Sequence, residues 1–197
     1  MISESLQRIS APAASNLGNR MVTDEEEVLI ARSRNGDLDA FAALVRMHQR
    51  MIHSLAYRMT GSSADADDLT QEAFISAHRS LESYRGTAKF SSWLYRITLN
   101  LCIRWKKLER RRTKTDGDWI ADDSGRETPD IRGDRVQEAL NTLSPKQRAA
   151  VVLTVYDGAS HAEAAALLGC PEATVSWRVF AARRRLARLL KDGGRVP

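Results

Sequence analysis

Two cysteines are all that this 197-residue chain contains, Cys102 and Cys170, far apart and outside any C-x-x-C pair. That excludes a disulfide scaffold, argues against a cysteine zinc site and points to a reducing compartment. No apolar run approaches the ~20 residues that a membrane-crossing helix needs, and no apolar stretch follows a basic start at the N-terminus. The expectation is a soluble, cytoplasmic protein without membrane insertion. Alternation of apolar and polar residues never extends far enough for a strand, and no internal repeat occurs. A glycine-rich phosphate loop is missing, and no histidine stands at metal-ligand spacing. Acid excess is missing too: 30 lysines and arginines against 25 acids give +5, which neither requires nor excludes a polyanionic partner. The length suits one large domain or two small ones of roughly 70 residues.

What is present is helical periodicity. Residues before Thr23 mix Ser, Asn, Ala, Pro and Gly without a period and read as a mobile tail. Phe41, Leu44, Val45, His48, Ile52, Leu55, Ala56 and Met59 then recur at three- and four-residue steps, one greasy stripe on a long helix that Gly61 ends. Leu69, Ala73, Phe74, Ala77 and Leu81 form a second stripe. Trp93, Leu94, Ile97, Leu101, Ile103 and Trp105 form a third, after the polar loop Arg85-Gly86-Thr87-Ala88-Lys89. Packing three such helices together hides these faces, and each buried Leu, Ile or Phe contributes roughly 1.5 to 3 kcal/mol against chain entropy. Between Thr115 and Asp134 seven acids (Asp116, Asp118, Asp122, Asp123, Glu127, Asp130, Asp134) face only Arg126 and Arg132, with no apolar period: a flexible acidic linker. Val136, Leu140 and Leu143 make a short stripe beyond it. Ser144-Pro145-Lys146-Gln147 then supplies an N-cap, a first-turn proline and an N3 glutamine for a helix carrying Val151, Val152, Val155 and Tyr156. The predicted fold is all-α: two small helical domains over 24–114 and 135–192, joined by the linker 115–134, with tails at 1–23 and 193–197.

The strongest local signal lies in the second domain. Ser160-His161-Ala162-Glu163 fits a capping box, Gly169 ends a short helix, and a second helix starts after Pro171, with Ala165 small enough for a close crossing and Val175 and Val179 inward. This is a helix-turn-helix pattern. The exposed face of its second helix offers Glu172, Ser176, Trp177 and Phe180, then Arg178, Arg183, Arg184, Arg185, Arg188 and Lys191. Front residues would reach base edges while later arginines grip phosphates. The competing reading of the motif is an ordinary helical hairpin with a solvated arginine face, and Trp177 has its own alternative, a packing residue against the preceding helix.

The first domain has two faces of opposite charge. Asp65, Asp67, Asp68 and Glu72 crowd the first turns of the second helix, where the helix dipole favours them. The stretch Asp67-Asp68-Leu69-Thr70-Gln71-Glu72-Ala73-Phe74 also puts carboxylates and an amide on the face opposite Leu69 and Phe74, as a docking surface for a basic partner would need. At the far end Arg104, Lys106, Lys107, Arg110, Arg111, Arg112 and Lys114 face one acid, Glu109. Between them, Ser83-Tyr84-Arg85-Gly86 with Phe90, Trp93 and Tyr95 is the aromatic and basic mixture that holds unstacked bases. A two-metal phosphodiesterase built on the acids is the weaker alternative, because Asp65 and Asp67 diverge from the Asp68–Glu72 face. His48, His53, His78 and His161 sit among apolar or capping neighbours, as packing residues do.

DDLTQEAFISAHRSLESYRGTAKFSSWLYRITLN, followed after the linker by LSPKQRAAVVLTVYDGASHAEAAALLGCPEATVSWRVFAARRRLARLL, resembles the extracytoplasmic-function (ECF) group of bacterial sigma factors. The resemblance spans about Ala40 to Leu190, both domains in order. It implies a non-enzymatic promoter-specificity subunit with no catalytic residue, metal or cofactor. Asp68, Gln71 and Glu72 would bind the coiled coil of the largest subunit of core RNA polymerase, and the second domain its flap region. Tyr84 and Asn100 would hold a flipped base of the minus-ten element, with Trp93, Arg96 and Arg104 nearby. Glu172, Ser176, Trp177, Arg178, Phe180, Arg183 and Arg184 would meet the minus-thirty-five element of promoter DNA as duplex. An anti-sigma factor is the implied regulator. The chain departs from the family pattern, in which a basic residue and then a serine are common where Ser176 and Trp177 stand and a basic residue where Ala181 stands, and this turns the expected readout toward a thymine methyl. The rival function is a helix-turn-helix regulator that acts without joining polymerase, which would leave the acidic face and the aromatic loop unused.

Overall fold

The computed structural model describes residues 24–115 and 131–192. The tails 1–23 and 193–197 and linker residues 116–130 lie outside the described residues. Among the described residues every regular element is helical, as the periodicity predicts.

The first domain opens with α1 (Asp24–Arg34), which the sequence stripes do not separate from the next helix. Asp37 then caps α2 (Leu38–Thr60) by accepting the Ala40 N–H at 3.0 Å. Along α2, Leu44, His48, Ile52, Leu55, Ala56 and Met59 of the predicted stripe are buried, joined by Ala40, while Phe41 and Val45 are only partly buried against the core. α1 is tied to it by Glu26, whose Oε1 lies 2.7 Å from Nε2 of the buried His48. Gly61 ends α2 at φ +85°, a left-handed backbone that favours glycine, and the side-chain ends of Gln137 and Asn141 lie close to where a Cβ would stand. Ser62 caps α3 (Ser63–Ser80); a 3-10 turn (Leu81–Ser83) and a loop lead to α4 (Phe90–Thr115). α4 buries Leu94, Tyr95, Thr98, Leu99 and Cys102 against α2 and α3.

The second domain starts with α5 (Ile131–Asn141), four residues inside the segment read as linker. The Ser144–Gln147 capping box opens α6 (Pro145–Val151) as predicted, but the helix then widens into a π-helical turn, Val152–Tyr156, that closes on Asp157. α7 (His161–Leu168) has its Ser160–Glu163 capping box, Gly169 turns at φ +59°, and α8 (Glu172–Asp192) buries Val175, Val179 and Ala182. The helix-turn-helix is present.

The two domains do not stand apart. One continuous buried cluster runs from Leu44, Ile52 and Leu99 to Val152, Leu153 and Val175, because α6, the π turn and α7 pack on α2 and α4. Arg148 of α6 is 1% exposed; its Nη1 donates to the Met59 carbonyl at 2.7 Å and its Nη2 to Asn141 Oδ1 at 2.6 Å. Both cysteines are free. Burial pushes the Cys102 thiol up to about 12, so almost no thiolate exists there at neutral pH. Titration with a thiol-specific chromogenic disulfide at pH 7.5 should therefore label the half-exposed Cys170 in the native protein and Cys102 only after unfolding; rapid labelling of both would refute this packing.

Candidate nucleic-acid interface

Three exposed surfaces result from this packing. The first surrounds the loop after the 3-10 turn. Tyr84 stands edge-on to Phe90, with centroids 5.6 Å apart at 82°, and 5.2 Å from the Trp93 ring. Its hydroxyl donates to the Ala88 carbonyl at 2.6 Å, which pins the loop back on itself, and the Arg34 guanidinium lies over its ring. Burial raises the phenol's pKa, so it stays a neutral donor. Phe90 and Tyr95, grouped by the sequence with the base-holding aromatics, are 1% exposed and belong to the core, and Tyr84, expected to hold the flipped base, is 8% exposed and joins the same buried cluster. The reason is helical phase: Tyr95, Leu99 and Cys102 follow one another at four- and three-residue steps on the inner face of α4. Trp93 keeps a half-exposed edge, and Arg96, Asn100 and Arg104, four residues apart, form an exposed stripe beyond it. Clefts of about 460 and 380 Å³ flank the loop, the larger lined by Trp93 and Arg96 on one side and by Ala159, Glu163 and Leu167 of the second domain on the other. That second wall is invisible to a sequence reading, since nothing local in the chain announces which surfaces meet across the linker.

The second surface is on α3. Asp68 and Gln71 are exposed and Glu72 is half-exposed, on one face opposite the buried Leu69, Ala73 and Phe74. Ile75, 45% exposed, continues this face one turn on and supplies an apolar residue that the search for charge overlooked. Asp67 is drawn to His53, 3.1 Å away, on the neighbouring helix.

The third surface is the outer side of α8. Trp177 and Phe180 are 64% and 59% exposed, so Trp177 does not pack on the preceding helix. Glu172, Arg183, Arg184, Arg185 and Arg188 are exposed around them, with Arg184 over the Phe180 ring. Two of the expected polar readers are engaged inside the domain. Ser176 Oγ lies 2.8 Å from His161 Nδ1, and Arg178 Nη1 donates to Cys170 Sγ at 3.3 Å. The apolar pair thus dominates the front of the helix, and arginines flank it. Of the basic end of α4, Arg104, Lys107 and Arg111 are exposed; the side chains of Arg110, Arg112 and Lys114 lie outside the described residues.

Comparison with known proteins divides the chain at the same place. The family model for sigma-70 region 2 matches residues 44–112, and that for sigma-70 region 4 matches residues 133–186. ECF RNA polymerase sigma factor SigM of Mycobacterium tuberculosis (strain H37Rv) is 41% identical over 180 residues, 90% of each chain. The ECF RNA polymerase sigma-E factor of Escherichia coli K12 is 35% identical over 82% of this chain and 92% of its own. Among solved structures, CnrH in complex with the cytosolic domain of CnrY aligns with TM-score 0.64 at 30% identity, over 86% of this chain and 99% of that one. The sigma factor RpoE in complex with the anti-sigma factor NepR, from Bartonella quintana, aligns with TM-score 0.62 at 28% identity, over 77% and 96%.

The start of α7 sets the position of the reading helix, and its cap can be tested alone. Ser160 accepts the Glu163 N–H at 3.2 Å, and Glu163 Oε2 accepts the Ser160 N–H at 2.8 Å; these bonds hold the Glu163 carboxyl below its usual pKa. A depressed carboxyl contributes stability above its unfolded pKa and loses it as pH falls through the folded one. Ser160→Ala should cost about 1 kcal/mol by urea unfolding at pH 7, with the gap to wild type narrowing toward pH 3. A gap independent of pH would refute the reciprocal cap.

Proposed function

The chain belongs to the ECF RNA polymerase sigma factors, and from that premise we propose that residues 24–114 bind core polymerase and open the minus-ten element while residues 135–192 read the minus-thirty-five element as duplex. Such factors are not enzymes in general, and no residue of this chain is assigned a catalytic role. The observation that carries the proposal is the coexistence, on one chain and in family order, of an acid-amide face, an aromatic and basic stripe and a helix-turn-helix with an arginine-flanked outer face. A regulator acting alone needs only the last of these.

Each surface has a role that its chemistry supports. Asp68, Gln71 and Glu72 precede the exposed Ile75 on one helix face, polar groups beside an apolar residue, as a helix docking on a basic coiled coil requires. Trp93 offers a ring edge for a displaced base beside Tyr84; Asn100 has an amide for its edge; Arg96 and Arg104 carry the charge that a single strand needs. On α8, Trp177 and Phe180 would contact thymine methyls, and Arg183 and Arg184 the phosphates on either side. Each domain alone binds weakly, and polymerase would hold both at the spacing where their affinities multiply. The partners implied are core polymerase at its coiled coil and flap, promoter DNA and an anti-sigma factor, the last because the two solved relatives hold such a partner or a cytosolic domain. The setting is the cytoplasm, where all three meet.

Run-off transcription with sigma-free polymerase and genomic fragments, followed by start-site sequencing, tests the reading as a whole; selective starts are expected, and their absence would reject it. Asn100→Ala, at an exposed position, should reduce permanganate-reactive open complex roughly two- to tenfold with closed-complex binding unchanged, the loss of one hydrogen bond. For the duplex reader, replacing thymines of a selected minus-thirty-five element by deoxyuridines removes only methyl groups. About fourfold weaker binding per contacted methyl is expected for wild type and none for Trp177→Ala with Phe180→Ala; equal sensitivity in both proteins would contradict the apolar readout.

A further inference from the structure

Beside the exposed rings of α8 stands a polar pair that the apolar readout of duplex DNA leaves unused. Ser176 Oγ lies 2.8 Å from Nδ1 of His161, the first residue of α7. The two helices pack on each other with Ala164, Ala165 and Val175 buried, so a serine on one reaches an imidazole on the other. Ser176 immediately precedes Trp177 and stands one helical turn before Phe180, which puts the pair at the edge of the same outer face. His161 is half-exposed, and among the described residues its Nε2 has no hydrogen bond. The two ring nitrogens face different ways. An imidazole tied at Nδ1 therefore presents Nε2 away from Ser176.

Where the protons lie decides what this edge can bind. A serine hydroxyl has one proton and a neutral imidazole one N–H, so a bond between them fixes the roles of both. Elsewhere in the chain the helical hydroxyls of Ser33, Thr60, Thr70, Ser80, Thr98 and Thr154 donate to the carbonyl four residues back. Ser176 is turned to His161 instead. With the serine proton on the bond, Nδ1 is the acceptor and Nε2 carries the hydrogen of the ring. The opposite arrangement, in which Nδ1–H donates to Ser176, leaves a bare lone pair on Nε2. Only the first suits a nucleic-acid backbone, whose phosphate oxygens accept and do not donate. Ser176, its one proton committed, then has none to donate to a base edge.

We propose that His161 is a phosphate-binding residue of the second domain, donating from Nε2 to one phosphate of the minus-thirty-five duplex, and that Ser176 is its positioning residue, which holds the ring and its tautomer and does not itself read a base. The proposal rests on the reading of this domain as a duplex reader and assigns these two side chains their parts in it. Arginines on long stems follow a phosphate over several positions, whereas an imidazole held by a second side chain fits one register. Such a contact fixes how α8 enters the groove, and base choice falls to the methyl contacts of Trp177 and Phe180.

For the experiment the full chain is assembled with sigma-free polymerase on promoter duplexes in which the phosphates of the minus-thirty-five element are replaced, one at a time, by uncharged methylphosphonates. At one position wild type should lose about tenfold in affinity, as for a hydrogen bond to a charged acceptor, and the loss should vanish in His161→Ala, shrink to about threefold or less in Ser176→Ala, and persist in Arg183→Ala. His161→Gln, whose amide reaches the place of Nε2, should keep that sensitivity, and His161→Asn, which reaches only the place of Nδ1, should lose it; this comparison stands alone should the alanine variants unfold. On the natural duplex, combining His161→Ala with Ser176→Ala should weaken binding no further than His161→Ala does. Ser176→Ala should keep the wild-type preference at every base pair. In the free chain, long-range proton–nitrogen NMR of labelled histidine should show His161 with its hydrogen on Nε2.

Undiminished phosphate sensitivity in His161→Ala, additive losses, an altered base preference in Ser176→Ala, or a hydrogen on Nδ1 would each overturn the assignment. So would equal weakening on natural and modified duplexes in every variant, the mark of a brace between two helices. Wild type insensitive at every phosphate would reject the duplex reading itself and the assignment with it. The ring's tautomer is measured without DNA, so the two failures are distinguishable.

Discussion

The end of α2 is the point on which both domains depend. Its backbone carbonyls must find donors, and Gly61 turns the chain so sharply that a neighbour can come within touching distance. The donor is a guanidinium from the other domain, and the neighbour is the helix carrying Gln137 and Asn141. Asn141 in turn accepts from the same Arg148. One helix terminus thus sets where the second domain sits, which face of α7 looks toward the loop at Tyr84, and which side of α8 stays in water.

The remaining surfaces arise from helical phase. Each helix of the first domain turns one side to the core and leaves the opposite side for partners. On α3 the core side is Ala66, Leu69, Ala73 and Ala77, and the partner side is Asp68, Gln71, Glu72 and Ile75. On α4 the core side is Leu94, Tyr95, Leu99 and Cys102, and the partner side is Arg96, Asn100 and Arg104. Small buried alanines, Ala56, Ala66, Ala73 and Ala77, let the helix backbones approach.

Much of this could be read from residue order. The stripe Leu44, His48, Ile52, Leu55, Met59 announced a buried helix face, Gly61 its end, and two serines with their N3 partners announced capping boxes, because each of these signals is local. The exposed stripes were legible for the same reason, as the complement of the apolar ones. Phe90 and Tyr95 were misplaced because an aromatic in a polar loop context looks available until its phase against Leu94 and Leu99 is counted. Ser176 and Arg178 were read as free, since their partners, His161 and Cys170, belong to the preceding helix and turn and meet them only once the two helices cross.

Residue order therefore settles the all-helical class, the caps, the turn at Gly169 and the two charged faces, each a matter of interactions within a few residues along the chain. Contacts between residues distant in sequence settle the rest: Arg148 on the Met59 carbonyl, Arg58 and Tyr95 on Asp157, the cleft shared by Trp93 and Leu167. No periodicity encodes these pairs. Burying a charge is favourable only where a particular acceptor waits, and where that acceptor lies is a property of how the two domains close on each other.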